Sequence, residues 1–246
     1  AQLRHSLDMT SGVRYNEDYE APDSDIAATD IASGWRKPHR NVRNFQCIWD
    51  QILSLKQLTR PHGELFEYRS IETDVLAHCM ERVTRTRLAD LVSQELWQPL
   101  GAQENACFTV DSAGYSLADG GFNATLRDYA RFGQMLCDGG IGNGRRIVPA
   151  QWLDDTLGAD TAIFQAPYNV GATNGAYRNQ FWIRDVDRRV LMARGVFGQL
   201  IYVDIDNQLT IARLASWPEF LSTERKLDDY CAIDAITKHL TGVTHE

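Results

Sequence analysis

Paired cysteines, long apolar runs, excess positive charge and lysine are all scarce in this chain, and each scarcity removes a class of function. The five cysteines, Cys47, Cys79, Cys107, Cys137 and Cys231, are widely spaced and odd in number, with no Cys-x-x-Cys pair. Neither a disulfide framework nor a thiolate zinc site is expected, and the thiols are read as reduced. Six histidines occur without His-Glu-x-x-His spacing, so no metal and no other cofactor is expected. No apolar run approaches the roughly 18 residues that span a bilayer, and the first residues lack a charged segment followed by an apolar one. No membrane partner is expected; the cytoplasm is the expected compartment, with the periplasm left open because the native N-terminus is not seen. A formal charge of −8 and a pI near 5.3 argue against nucleic acid, whose binders carry a basic stripe that releases counterions. Lysine occurs only at positions 37, 56, 226 and 238. None stands three residues after a serine: Ser33 to Lys37, Ser222 to Lys226 and Ser54 to Lys56 all miss that spacing. The chain therefore has no Ser-x-x-Lys, the pair in which an amine one helical turn along activates a hydroxyl nucleophile.

What is present is an ordinary globular composition, 43% hydrophobic and 24% charged over 246 residues, sized for one large or two intimate domains. Residues 1 to 65 read as loops broken by short helices, with Ile48, Ile52 and Leu55 at helical spacing. Ser70 to Arg85 places Ile71, Val75, Leu76, Met80 and Val83 on one stripe, and a second helix follows from Leu88 to Trp97, ended by Pro99. Thr125 caps a helix with Leu126, Tyr129, Ala130, Gly133 and Met135 turned inward. Asn143-Gly144 marks a tight turn, and Pro149 opens a helix holding Trp152 and Leu153. Strand-like runs then occupy Tyr177 to Ile183, Val190 to Arg194, Gln199 to Val203 and Gln208 to Ala215, close enough to form an antiparallel meander. A last helix, Glu224 to Leu240, offers Leu227, Tyr230, Cys231, Ile233, Ala235 and Ile236 to that sheet. The expected class is α+β: residues 1–175 mainly helix and loop, and residues 176–246 an antiparallel sheet with its C-terminal helix.

The stretch Gly63-Glu64-Leu65-Phe66-Glu67-Tyr68-Arg69-Ser70-Ile71-Glu72-Thr73-Asp74 places a tyrosine where a turn feeds a helix. With Leu7-Asp8-Met9-Thr10-Ser11-Gly12 upstream and Gly195-Val196-Phe197-Gly198-Gln199 downstream, it resembles the serine β-lactamase-like hydrolases: class C β-lactamases, penicillin-binding esterases and 6-aminohexanoate-dimer hydrolases. The texture is closest to the last of these, through Thr10 to Glu20 and Phe66 to Asp74. The resemblance implies a single β-lactamase/transpeptidase-like domain, N-terminally incomplete. In that family Ser-x-x-Lys precedes the element that here is Arg4 to Gly12, so the nucleophile is expected upstream of Ala1.

By the same resemblance Tyr68 transfers a proton. A phenol with its ordinary pKa near ~10 is a poor base at neutral pH and needs a cationic lysine beside it. From the residue alone, Tyr68 reads equally as a buried tyrosine bonded to a backbone carbonyl. The resemblance also implies that the N–H of Val196 or Phe197 helps to bind an oxyanion, with Phe197 and Gly198 lining the substrate site; a glycine-bounded edge strand is the plain alternative. Phe197 stands where relatives often carry lysine or histidine, so capture of a penicillin-type carboxylate is not expected. Tyr19 would belong to a loop over the pocket, Asp30 would face a substrate ammonium and Trp182 would wall the acyl side. Their alternatives are an exposed loop tyrosine, a helix N-cap before Ile31 and a core tryptophan. Asp119-Gly120-Gly121 reads as a turn near the pocket rim.

The expectation is then a part of a serine hydrolase that cleaves small linear amides or carboxylic esters through an acyl-enzyme, with the chain inactive alone and a homodimer allowed. The rival is a non-catalytic module that keeps the scaffold for binding or assembly. Tyr68 and the glycine-rich strand weigh against the rival, because a pure scaffold has no need of them.

Overall fold

The computed structural model describes residues 1–40 and 42–242, and the chain divides into two compact units. The first comprises Ala1–Gln98 and Glu104–Ala124. Along it run α1 (Leu3–Leu7), α2 (Asp25–Ala32), α3 (Ile48–Ser54), α4 (Ile71–Thr84), α5 (Leu88–Val92) and a π turn (Ser93–Trp97), and the single turn α6 (Gln98–Leu100) begins at the last residue of its first segment. The hairpin β1 (Cys107–Phe108) and β2 (Phe122–Asn123) follows. Tyr15, Ile26, Ala32, Ile48, Ile71 and Leu117 form its core, with Tyr19 and Ile52 packed against them. The Leu7 to Gly12 segment is laid beside residues 57–67 by backbone bonds: Thr59 N–H to Gly12 O and Gly63 N–H to Thr10 O at 2.8 Å, and Glu67 N–H to Met9 O at 3.0 Å. Gly12 is required at that contact, since a Cβ there would lie 2.4 Å from the Arg60 carbonyl oxygen.

Two helical expectations need correction here. The apolar stripe of α4 holds only at its start: Ile71 and Leu76 are buried, whereas Met80 and Val83 are 43% and 83% exposed, and Glu72 and Asp74 occupy the buried face. Pro99 does not end the following helix. The chain passes through the π turn and keeps helical geometry across Gln98–Leu100, the wider turn accommodating a residue that has no N–H to give.

The second unit comprises Pro99–Gln103 and the chain from Thr125 onward. It holds α7 (Leu126–Cys137), the hairpin β3 (Ile141–Gly142) and β4 (Arg145–Arg146), α8 (Ala150–Leu157), then β5 (Ala176–Arg178), β6 (Phe181–Asp185), β7 (Val190–Gly195), β8 (Gln199–Asp204), β9 (Leu209–Arg213) and α9 (Thr223–Thr241). The five strands β5 to β9 form an antiparallel meander in chain order. Side-chain alternation along β8 gives it two covered faces. Leu200 and Tyr202 join Val190, Met192 and the α9 residues Tyr230 and Ile233 in one cluster. Ile201 and Val203 point the other way, to α7, where a Cβ on Gly133 would come within 2.6 Å of Thr210 and 2.9 Å of Ile201.

Three readings change in this unit. The run Tyr177 to Ile183 is two strands, reversed at Asn179 and Gln180, both at positive φ (52° and 68°) as a two-residue hairpin turn requires. On α7, Thr125 does cap the helix through the Asp128 N–H (3.2 Å) and Gly133 and Met135 are buried as expected, but Leu126 is 46% exposed and the charged Asp128 is buried, where it accepts bonds from Thr125, Gln103 N–H and Arg131. On α9 the buried stripe is Lys226, Tyr230, Ile233 and Thr237, while Leu227 and Ile236 are exposed. Its stripe is rotated because two of its four members are polar, which an apolar-periodicity search passes over. Among the described residues no helix is long and apolar enough to cross a membrane.

Candidate functional site

Within the first unit the Tyr68 segment enters α4 under tight constraint. Phe66, Arg69 and Ser70 are buried, Arg69 lies between Glu67 and Glu72, and its N–H meets the sulfur of the wholly buried Met9. Ser70 stands at the N-cap of α4 without capping it through its side chain. Its hydroxyl and its N–H both go to the Glu17 carboxylate, the N–H at 2.9 Å. Tyr19 donates to the same carboxylate at 2.7 Å and lies 3.4 Å from the Ser70 hydroxyl. Glu17 thus ties the Tyr19 loop to the start of the helix that follows Tyr68, a place where the orphan N–H groups of a helix favour negative charge.

Tyr68 is half-buried, and its pKa is raised above the ordinary value. Burial is the largest cause, followed by the charges of Glu17 and Asp119; a hydrogen bond with Ser70 opposes them. The groups acting on it are carboxyls, and they favour the neutral phenol. Glu17 itself is raised by burial against the bonds from Ser70 and Tyr19. Asp74 accepts the Ala118 N–H at 2.8 Å through one oxygen; its other oxygen and one oxygen of Asp119 are buried without a hydrogen-bond partner. Burial and their mutual repulsion raise the pKa of Asp74, while burial with Glu17 and Asp30 raises that of Asp119. A carboxyl that holds its proton is the physical resolution of such a cluster. Neither Glu17 nor Asp74 was singled out from the sequence, and Asp119 was read there only as part of a turn. Their partners lie tens of residues away, so no local spacing announces them.

Asp30 sits inside α2 and not at its cap, which is Ser24 bonded to the Ala27 N–H. Its carboxylate pairs with Arg36 at 3.1 Å, and its pKa is raised by burial against that pairing. The alternative reading of Asp30 as a cap before Ile31 is therefore corrected.

Within the second unit, β7 ends at Gly195 and the chain turns through Val196–Gly198 into β8. The Phe197 N–H donates to the Phe220 carbonyl and the Trp217 N–H donates to the Phe197 carbonyl, both at 3.0 Å. Arg213 donates to the Gly198 carbonyl at 3.0 Å. The Phe197 N–H is thereby occupied, and the Val196 N–H is the remaining one of the two expected oxyanion donors. Phe197 adopts φ 58°, an outlier for a bulky residue, and its ring packs 4.7 Å from that of Phe220. Gly198 has φ 86°, and a Cβ there would lie 2.4 Å from Trp217. Trp182, half-buried on β6, is boxed by Tyr177, Phe164 and Tyr168 at 5.2, 6.1 and 6.1 Å between ring centres.

Comparison with known proteins follows the same lines. A family model described as beta-lactamase matches residues 2–233. The 6-aminohexanoate-dimer hydrolase of Paenarthrobacter ureafaciens is 34% identical over 219 residues, 87% of this chain and 54% of that protein. A solved structure assigned as a 6-aminohexanoate-dimer hydrolase from Bacillus anthracis superposes with a TM-score of 0.85 at 28% identity, over 100% of this chain and 63% of that one. Simvastatin synthase from Aspergillus terreus shares the fold, with a TM-score of 0.65 at 15% identity over 97% of this chain and 68% of its own. The chain spans about half the length of the curated relative it matches. With its α+β architecture and the 34% identity, this match makes the chain a member of the beta-lactamase family, related to the 6-aminohexanoate-dimer hydrolases.

Proposed function

We propose that this chain is the tyrosine-bearing and oxyanion-bearing part of a serine hydrolase that cleaves small linear amides or carboxylic esters through an acyl-enzyme. The observation that carries the reading is the held Tyr68 segment: a neutral phenol at the entry to α4, its neighbour Ser70 fixed by the Glu17 carboxylate. Tyr68 is the proton-transfer group and the Val196 N–H the oxyanion donor; Tyr19 and Asp30 of the first unit, and Trp182, Phe197 and Gly198 of the second, are the substrate-binding residues that the family resemblance implies. The attacking serine and its lysine come from outside these 246 residues, since no Ser-x-x-Lys occurs within them. Without a cation beside it Tyr68 stays protonated, and this chain alone has no covalent route.

The relation to proteins named for the 6-aminohexanoate dimer supports a linear amide as substrate. The test is hydrolysis of 6-aminohexanoate dimer and of 4-nitrophenyl acetate. The protein carrying Ser-x-x-Lys hydrolyses at least one of them, Tyr68→Phe lowers its kcat/KM by roughly 10²- to 10⁴-fold as loss of a proton-transfer group does, and the 246-residue chain alone stays at background. Full activity in the Tyr68→Phe variant would remove the role given to Tyr68.

A further inference from the structure

The turn that carries the Val196 N–H is held from several sides, all within the second unit. Its middle residue, Phe197, is kept at φ 58° by the chain that follows β9: the Phe220 carbonyl accepts its N–H, and the Trp217 N–H donates to its carbonyl. Arg213 donates to the Gly198 carbonyl. Val196 itself is reached by Gln199, the half-buried first residue of β8. The Gln199 Nε2 donates to the Val196 carbonyl at 3.3 Å and to the Ala215 carbonyl at 2.7 Å, while its Oε1 accepts the Ala215 N–H at 3.0 Å. The amide fits in one orientation, its two hydrogens meeting two carbonyls and its oxygen meeting an N–H. Reversed, it would set oxygen against oxygen twice.

The hairpin does not need this side chain to close, because Gly195 already pairs with Gln199 through the backbone. What the amide adds is a second hold on Val196. Strand pairing at Gly195 fixes the peptide that precedes Val196 and contains its N–H; the Gln199 amide fixes the peptide that follows, through the Val196 carbonyl. With both flanking peptides held, the Val196 N–H keeps one direction. A donor that stabilises a developing oxyanion acts best when its direction is set before the charge appears, since a donor that must turn during the reaction loses that advantage.

We propose that Gln199 is a positioning residue of the hydrolase, its side-chain amide aiming the Val196 N–H at the oxyanion. The assignment rests on the reading of Val196 as the donor. It is tested kinetically in the protein carrying Ser-x-x-Lys, on 6-aminohexanoate dimer and 4-nitrophenyl acetate. Gln199→Leu keeps most of the side chain's bulk and removes its hydrogen bonds; kcat is expected to fall about 10- to 100-fold, approaching the loss of an oxyanion donor, with KM little changed because the weakened interaction belongs to the transition state. Gln199→Glu still accepts the Ala215 N–H but has no hydrogen for the Val196 carbonyl, and should fall as far. It reads the same contrast if Gln199→Leu does not fold. Wild-type kcat in either variant, or a loss confined to KM, would overturn the role. Val196→Pro tests the donor itself: it deletes the N–H at the first position of a helical turn, where proline is tolerated, after a Gly195 whose φ of −119° and ψ of 161° are the extended shape a residue before proline adopts. Loss of kcat in Val196→Pro with full kcat in the Gln199 variants would keep the donor and overturn the positioning role; full kcat in Val196→Pro would overturn both.

Discussion

Tyr68 shows how the neighbours of one side chain decide what chemistry it can do. A phenol becomes a base only if something stabilises its anion, and burial together with Glu17, Asp119 and Asp74 does the reverse. Glu17→Gln removes the charge that acts most strongly on Tyr68 and should move its titration down toward the ordinary value near ~10. Alkaline absorbance titration, differenced against Tyr68→Phe, reads that shift directly; an unchanged midpoint would mean that Glu17 does not control the phenol. The sequence made Tyr68 legible because a turn, a tyrosine and a helix start follow one another. Glu17 was not legible, because it meets Ser70 across 53 residues and nothing in its own neighbourhood distinguishes it from a solvated acid.

At the scale of elements, the turn between β7 and β8 is fixed by its glycine and by what lies on it. Gly198→Ala would force a methyl to within 2.4 Å of Trp217 at φ 86°, so a destabilisation of about 2 kcal/mol or more is expected, read as a lower denaturant midpoint. Gly133→Val should act similarly by lifting α7 from β8 and β9, where the first added carbon already meets Thr210 at 2.6 Å. The meander was legible because its strands alternate and its turns are short. The β5–β6 turn was missed because Asn179-Gln180 lacks the glycine that usually signals two left-handed residues; Asn179 is instead held by Asp155 and Thr156 at 3.0 and 2.8 Å. The stripe of α9 was misjudged for a related reason: Lys226 and Thr237 are buried where apolar residues were sought.

For the molecule as a whole, buried carboxyls set the response to pH. Glu72, 2% exposed, is pushed up from 4.5 to about 7 by burial, against the Ser11 hydrogen bond and the Arg69 charge, and Glu17, Asp74 and Asp119 are raised as well. A carboxyl whose folded pKa lies above its unfolded one takes up a proton on folding. Its contribution is complete below about 4.5 and is lost as pH rises through about 7. For Glu72 that amounts to about 3 kcal/mol on an order-of-magnitude scale. Denaturant unfolding should therefore show stability falling from pH 5 toward pH 8, with a shallower fall in Glu72→Gln; a rise over that interval would contradict the assignment. At this scale the α+β class and the family could be read from the sequence, the first from helical stripes followed by short strand-like runs and the second from motifs at positions 7–12, 63–74 and 195–199. The acid cluster at Tyr68 was not readable, being assembled only in three dimensions.

The central claim is that these residues belong to a hydrolase whose attacking serine lies outside them. Treating the protein from its natural source with a fluorophosphonate that labels activated serines, then mapping the adduct by peptide mass, tests it most directly. The account predicts a protein well above 27.8 kDa carrying one adduct, on the serine of a Ser-x-x-Lys peptide absent from this sequence. An adduct on a serine within the 246 residues, or a 27.8 kDa protein that takes none, would contradict it.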